Sequence, residues 1–311
     1  MGDVVDVGAR EGGHGPMIAA MRTGIVHPPE PALRSMTAAD IEPACAAIVA
    51  SHWGDRRAWF EVAAASPAIH AFVAEAASGA IVGTGVATVN GPVGWIGTIW
   101  VEPAWRGRGL GRRLTEATID AAEAAGCRTL VLVATDEGRP LYERLGFTVE
   151  THYRILEAPG FDPAARPAAT SEHSVRAWRP DDLEAAVALD RSITGEDRRH
   201  LITAFATPDA ARVVAGRDDG LRGFVIRAPW GGGATIAPDP ADARLLLQAR
   251  RAASGPDGRV RAGLLAENVA GLTSLAADGW TDAWGAPRMI RGHALDWRPV
   301  GIWGQFNHAV G

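Results

Sequence analysis

The run Arg106-Gly107-Arg108-Gly109-Leu110-Gly111 constrains this chain most, because of what stands on either side of it. Before it lies an apolar strand pattern, Trp95–Val101, closed by Pro103, which cannot donate to a sheet ladder. After it comes a helix pattern from about Gly109 to Ala125. Leu110, Leu114, Ala117, Thr118 and Ala121 recur there at helical spacing, and Gly126 supplies the stop. A strand that feeds a helix through glycines makes an anion site. The first N–H groups of the helix lack partners and carry the positive end of its dipole, and glycine lets a diphosphate reach them. Arg106, Arg108, Arg112 and Arg113 add charge that does not titrate away. Two nucleotide motifs are excluded. A P-loop ends in Gly-Lys-Ser/Thr, and the chain has no lysine; the dinucleotide fingerprint is G-x-G-x-x-G, and the spacing here is G-x-G-x-G.

Beyond that helix come a buried strand pattern and a short helix ending in Leu-Tyr-x-x-x-Gly-Phe (Leu141, Tyr142, Gly146, Phe147). Together with Val-x-Pro (Val101, Pro103) and Arg-x-x-Gly-x-Gly (Arg106, Gly109, Gly111), this closely resembles the GNAT family of acyl-CoA-dependent N-acyltransferases. The resemblance implies an α/β fold, a mixed and mostly antiparallel sheet with flanking helices. It also implies acetyl-CoA as acyl donor, no metal, and direct attack of an amine on the thioester without a covalent enzyme intermediate. By the family pattern the main-chain N–H of Val101 polarises the thioester carbonyl, and Ile99 and Trp100 line the acyl group. The diphosphate is expected on N–H groups running from Arg106 through Gly107, Arg108, Gly109, Leu110 and Gly111 to Arg112. Tyr142 is the expected general acid for the departing thiolate; the alternative is that it packs on the sheet and positions the cofactor. Thr135 stands where the family has an asparagine against the pantetheine arm.

A base is needed as well. An alkyl amine is charged at pH 7, and removing its proton there costs about 4–5 kcal/mol. The family often uses a carboxylate on or beside the central strand, and this strand has none. Glu102 is adjacent, but alternation from Val101 points it away from the acyl group or toward the turn; Glu75 and His52 are the other candidates, each read more readily as a solvated or structural residue, so the base stays open. Trp53 and Trp59 lie on the helical segment that covers the acceptor cleft in this family, where they would form an apolar or cation–π wall with Glu75 nearby. Trp95, Trp100 and Trp105 read as packing.

The chain then repeats itself. Leu33-Arg34 through Asp40-Ile41-Glu42 has a partner in Val175-Arg176 through Asp182-Leu183-Glu184, and Leu132 through Gly146-Phe147 is echoed by Leu264 through Gly279-Trp280. This spacing predicts a duplicated domain rather than a solenoid. Residues 1–30 read as a flexible leader, 31–158 as the catalytic copy, 159–172 as a linker within the Pro- and Ala-rich stretch Ala158–Thr170, and 173–311 as a second copy with a tail. The second copy is degenerate. Its turn, Ala234–Ala243, has no arginine or glycine and brings Asp239 and Asp242 to the helix start, and Leu275 stands in place of Tyr142. Its tail, with Trp297, Trp303 and Gly-Gln305-Phe306-Asn-His308, is too apolar to hang free. This plan resembles the YitH-type branch of the GNAT family.

At 311 residues there is ample chain for two such cores, and a net charge of −5 argues against a nucleic-acid surface. All 31 basic side chains are arginine, which with the Ala and Gly excess reads as a GC-rich bacterial gene. Cys45 and Cys127 read as free thiols in a reducing cytoplasm, and no run of eighteen apolar residues suggests a membrane span. The expected function is acetyl transfer from acetyl-CoA to a primary amine of a small molecule, by a monomer rather than a homodimer. A catalytically silent acyl-CoA sensor, or a protein N-acetyltransferase, is the alternative.

Overall fold

In the computed structural model, residues 29–165 and 173–311 are described, and residues 31–311 form one unit. The expected leader lies almost wholly outside the described residues, as does much of the expected linker. The first copy runs β1 (Ala32–Ser35), α1 (Ile41–Ala50), α2 (Arg57–Ala65), β2 (Ile69–Glu75), β3 (Ile81–Asn90), β4 (Val93–Val101), α3 (Leu110–Ala124), β5 (Thr129–Val133), α4 (Arg139–Arg144) and β6 (Thr148–Pro159). The second runs β7 (Ser174–Ala177), α5 (Leu183–Thr194), α6 (Arg199–Phe205), β8 (Ala211–Ala215), β9 (Leu221–Arg227), β10 (Gly233–Ile236), α7 (Pro240–Ser254), β11 (Arg259–Leu265), α8 (Val269–Ala277) and β12 (Thr281–Gly292). A short last strand, β13 (Ile302–Gly304), ends it. No helix among the described residues is long and apolar enough to cross a membrane.

The repeated Arg…Asp signature has a local cause. In each copy the arginine of the first strand grips the aspartate that begins the first helical turn. Arg34 takes both oxygens of Asp40 at 2.7 Å, and Arg176 takes both oxygens of Asp182 at 2.8 Å. Each carboxylate also accepts the N–H three residues earlier, from Thr37 or Arg179, at 2.7 Å. Bidentate, charge-assisted bonds of this kind fix the angle at which strand passes into helix. The Arg34 bonds hold the Asp40 carboxyl well below the usual carboxylate range.

The two sheets do not coincide with the two copies. One sheet has the order β1-β2-β3-β4-β5-β12-β6-β11, the other β13-β10-β9-β8-β7. β6 and β12 pair antiparallel with each other, Tyr153 opposite Ala286. Each also pairs outward with the other copy, β12 with β5 and β6 with β11. The copies have therefore exchanged strands, and the hydrogen-bond ladder is continuous across the repeat. Ala158 and Pro159, the expected start of the linker, belong to β6 opposite Val260 and Arg259. A proline is tolerated at that terminal ladder position because the missing N–H breaks no interior bond. α1 and α2 cover one face of β2–β4, with Ile48, Trp59, Phe60 and Trp100 buried beneath them. α3 covers the other face, burying Leu110, Leu114, Thr115, Thr118, Ile119 and Ala122.

Candidate active site

β4 and β5 are parallel neighbours only over Val93–Trp95 and Thr129–Val131. Past that point β5 keeps its pairing with β12, Val133 opposite Arg288, while β4 bends away. The bend is a bulge. Gly97 faces Val86 and Trp100 faces Thr84, so Thr98 and Ile99 together oppose the single residue Gly85. Thr98 sits at φ 52°, a left-handed conformation that costs a β-branched residue roughly 1–3 kcal/mol. It is held there from two sides. The Thr84 hydroxyl donates to the Thr98 carbonyl at 2.9 Å, and the Trp59 indole N–H donates to the Thr98 hydroxyl at 3.1 Å.

The result is a slot between two diverging parallel strands. N–H groups alternate sides along a strand. The N–H of Glu102 is bonded to Val82 on β3 at 2.9 Å, so those of Val101 and Ile99 face the slot. The Val101 carbonyl accepts from Arg106 Nε at 3.1 Å, which ties the glycine turn to the end of the strand.

At the mouth of the slot, Gly107 and Gly109 take φ of 73° and 79°, and a Cβ at either would meet nothing within 4 Å. The turn therefore needs glycine, and the space before it is open. No side chain caps the start of α3. Arg108 lies over Trp105 at 5.3 Å, Arg112 pairs with Glu116 at 2.8 Å, and Arg106 reaches Glu137 at 3.5 Å. These are exposed pairs of small net worth, easily exchanged for a bound anion.

α4 closes the far side. A Cβ at Gly111 would stand 3.7 Å from Val101 and 3.8 Å from Leu141. Half-buried Tyr142 meets Phe147 edge-on at 6.2 Å and packs with Ile99 on the cluster of Leu132, Ala134, Phe147 and Met289. Burial pushes its phenol up to about 12, so it keeps its proton at any working pH. The Thr135 hydroxyl accepts the Gly138 N–H at 3.1 Å and is thereby engaged at the start of α4.

The other expected site residues divide. Ile99 and Val101 face α3, whereas Trp100 faces α1 and α2, where its indole N–H is buried without a hydrogen-bond partner. Trp59 does not wall a cleft: it is 2% exposed, bonded to Thr98, and edge-on to Trp230 at 5.3 Å. Trp53, in the α1–α2 connection, is exposed. Glu75 lies two strands from β4 and accepts from Arg34 at 2.7 Å. His52 and Glu102 line a separate cavity of about 560 Å³ between the end of α1 and the β2–β3 turn.

Residues 37–147 match the acetyltransferase (GNAT) family model, and residues 186–304 match an acetyltransferase (GNAT) domain model. The chain belongs to the GNAT family. It is 27% identical over 190 residues to the uncharacterized N-acetyltransferase YitH of Bacillus subtilis (strain 168), covering 60% of this chain and 65% of YitH, just under two thirds. It is 36% identical over 65 residues to the glucosamine 6-phosphate N-acetyltransferase of Trypanosoma brucei brucei, covering 21% of this chain and 44% of that one. A solved structure from Pyrococcus horikoshii has the same two-copy fold, with a TM-score of 0.75 at 18% identity over 90% of this chain and 95% of that one.

The second GNAT copy keeps the fold and has filled its slot. α7 joins β10 to β11 as α3 joins β4 to β5, but Asp239 caps it by accepting the Ala241 N–H at 2.8 Å. Buried Asp242 accepts from Arg222 at 2.9 Å and contacts His173 at 2.6 Å. The interval between β10 and β11 holds the chain's own tail. Gly304 pairs with Thr235 on β10, and the Gln305 amide donates to the Gly263 carbonyl on β11 at 3.1 Å. Trp303 is wholly buried there and donates to the Ala237 carbonyl at 3.1 Å. Sequence reading found the carboxylates but missed the plug. Its signal was the density of aromatic and glycine residues in the tail.

Proposed function

We propose that the first copy transfers an acetyl group from acetyl-CoA to the primary amine of a small molecule. One feature carries this reading: two parallel strands part beside free N–H groups, with an uncapped, glycine-fronted helix start at the mouth. Acetyl-CoA fits that arrangement. Its diphosphate would meet the N–H groups of residues 107–112 and the arginines around them, and its pantetheine arm would run down the slot from Val101 toward the bulge. The N–H groups of Val101 and Ile99 then hold its carbonyls, the thioester oxygen among them. Because they are fixed before the reaction, they stabilise the charge that develops on that oxygen without reorganising.

Attack by the amine forms the C–N bond and the C–S bond breaks, so the leaving sulfur needs a proton. Tyr142 supplies it. A phenol raised to about 12 is a weaker acid than an ordinary one by about 2 units, or roughly 3 kcal/mol. The same dry surroundings raise the thiolate as well, which restores much of the match. The name of the trypanosomal relative, a glucosamine 6-phosphate N-acetyltransferase, supports a small amine as acceptor.

The test is CoA release, followed with a thiol reagent, from acetyl-CoA and a panel of primary amines. The panel includes D-glucosamine 6-phosphate, alkylamines, amino acids and short peptides. Release that depends on a small amine, with the acetamide seen by mass spectrometry, is the expected result. Tight binding of acetyl-CoA with no release for any amine would point to the silent sensor instead.

A further inference from the structure

The tail that plugs the second copy returns to the first. After β13, Phe306 is buried against Phe205 at 5.6 Å and under Arg198 at 5.5 Å. Ala309 then seats on β4 at Gly97, the residue before the bulge: a Cβ there would lie 2.4 Å from the Ala309 Cβ and 3.3 Å from the His308 carbonyl oxygen. The Thr88 hydroxyl donates to the Ala309 carbonyl at 3.0 Å, and the Asn90 amide donates to the Val310 carbonyl at 2.9 Å. The main chain of His308 is therefore pinned on both sides, at Gly97 where β4 and β5 begin to part.

Its ring lies 5.2 Å from that of Tyr153 on β6 and receives the edge of Trp284 on β12 at 5.2 Å. Trp284 is 44% exposed, so the cluster opens to solvent on that side. Among the described residues neither ring nitrogen of His308 has a hydrogen-bond partner. The face of β4 turned toward it carries Trp95, Gly97, Thr98 and Trp100, none of them a base. The candidates read from the sequence are elsewhere, Glu75 on Arg34 and His52 with Glu102 in their own cavity.

We propose that His308, delivered by the tail of the second copy, is the group that takes the proton from the acceptor amine. The proposal rests on the acetyl-transfer reading. The amine enters uncharged, having left its ammonium proton in solvent; its nitrogen bonds to the thioester carbon, the surplus proton of the now cationic nitrogen passes to the imidazole, the C–S bond breaks, and Tyr142 protonates the sulfur. Imidazolium and phenolate then reset through solvent. Burial alone pushes His308 down to about 4, so the ring is neutral at pH 7 and takes a proton only from the strongly acidic nitrogen that C–N bond formation creates. Tyr153 is the titratable group whose ring packs against it.

The test measures His308→Gln and His308→Ala with whichever panel amine the wild type turns over fastest, and measures acetyl-CoA binding by calorimetry. The expected result is a fall in kcat of about 10²–10⁴-fold with acetyl-CoA affinity within about twofold of wild type. Added imidazole should restore part of the His308→Ala activity, which a merely structural role would not allow. Unchanged turnover in both variants, or a fall that imidazole does not relieve, overturns the proposal. If the wild type releases CoA with no amine, the acetyl-transfer reading fails instead, and the two outcomes are distinct.

Discussion

Gly97→Ala is the most informative single change in this molecule. The added methyl carbon would stand 2.4 Å from the Cβ and 2.6 Å from the Cα of Ala309. Carbon atoms pack at about 3.5–4.0 Å, so the tail must lift by roughly 1 Å or more. Backbone and a methyl group cannot swing aside as a long side chain would. Overpacking of this kind costs about 1–3 kcal/mol, offset by about 0.5–1 kcal/mol from removing glycine from a strand interior. The net should be a destabilisation of about 1–2 kcal/mol, seen as a fall of about 2–4 °C in Tm by calorimetry if unfolding is two-state. Activity should fall further than stability does, because the lift moves His308 away from the bulge. Acetyl-CoA affinity should hold, since the slot's donors, the N–H groups of Ile99 and Val101, lie past the bulge and the new methyl meets only the tail. A variant with wild-type Tm and wild-type kcat would refute the placement of the tail on β4. A variant that loses acetyl-CoA affinity as well would refute the separation of donor and acceptor sides.

Tyr142→Phe should lower kcat by about 10²-fold or more while binding of acetyl-CoA stays within about twofold, read by steady-state kinetics and calorimetry. Unchanged turnover would leave Tyr142 a packing residue. Asp40→Asn should cost about 1–2 kcal/mol at pH 7, discounted because Arg34 is half exposed. Asp40 has a depressed folded-state value, so its contribution is present above about pH 4 and is lost as the pH falls below that. The deficit of the variant should shrink in acid melts. Buried Glu196 accepts from Asn90 at 2.7 Å and Trp95 at 3.0 Å, and desolvation raises its carboxyl to about 7. A raised carboxyl favours folding below about pH 4.3 and loses that advantage as the pH climbs through 7. Glu196→Gln keeps both acceptor contacts and should therefore raise Tm at pH 8 relative to wild type, with little effect at pH 4.

What the sequence disclosed was local. The glycine turn, the uncapped helix start and the Leu-Tyr-x-x-x-Gly-Phe helix each depend on residues a few positions apart, and their spacing was enough. The Arg…Asp signature of both copies was visible for the same reason. Pairing across the repeat was not. Nothing within β6 or β12 says whether the strand pairs inside its own copy or with the other. Trp59 gives a second kind of difficulty. On the periodicity of α2 an indole that faces a cleft and one that faces the core look alike, and only the Thr98 hydroxyl decides between them. Glu75 pairs with an arginine far away in sequence, and the Thr135 hydroxyl accepts from the chain three residues on, contacts that the motif spacing does not reveal. His308 was the hardest to assign, because its place depends on one glycine of β4 and on the plug of the other copy.

The most direct measurement is a crystal structure of the protein with acetyl-CoA. One molecule per chain is expected, its diphosphate against residues 107–112 and its acyl end beside Ile99 and Val101. Acetyl-CoA found between β10 and β11, displacing β13, or absent from the β4–β5 slot at saturating concentration, would contradict the account.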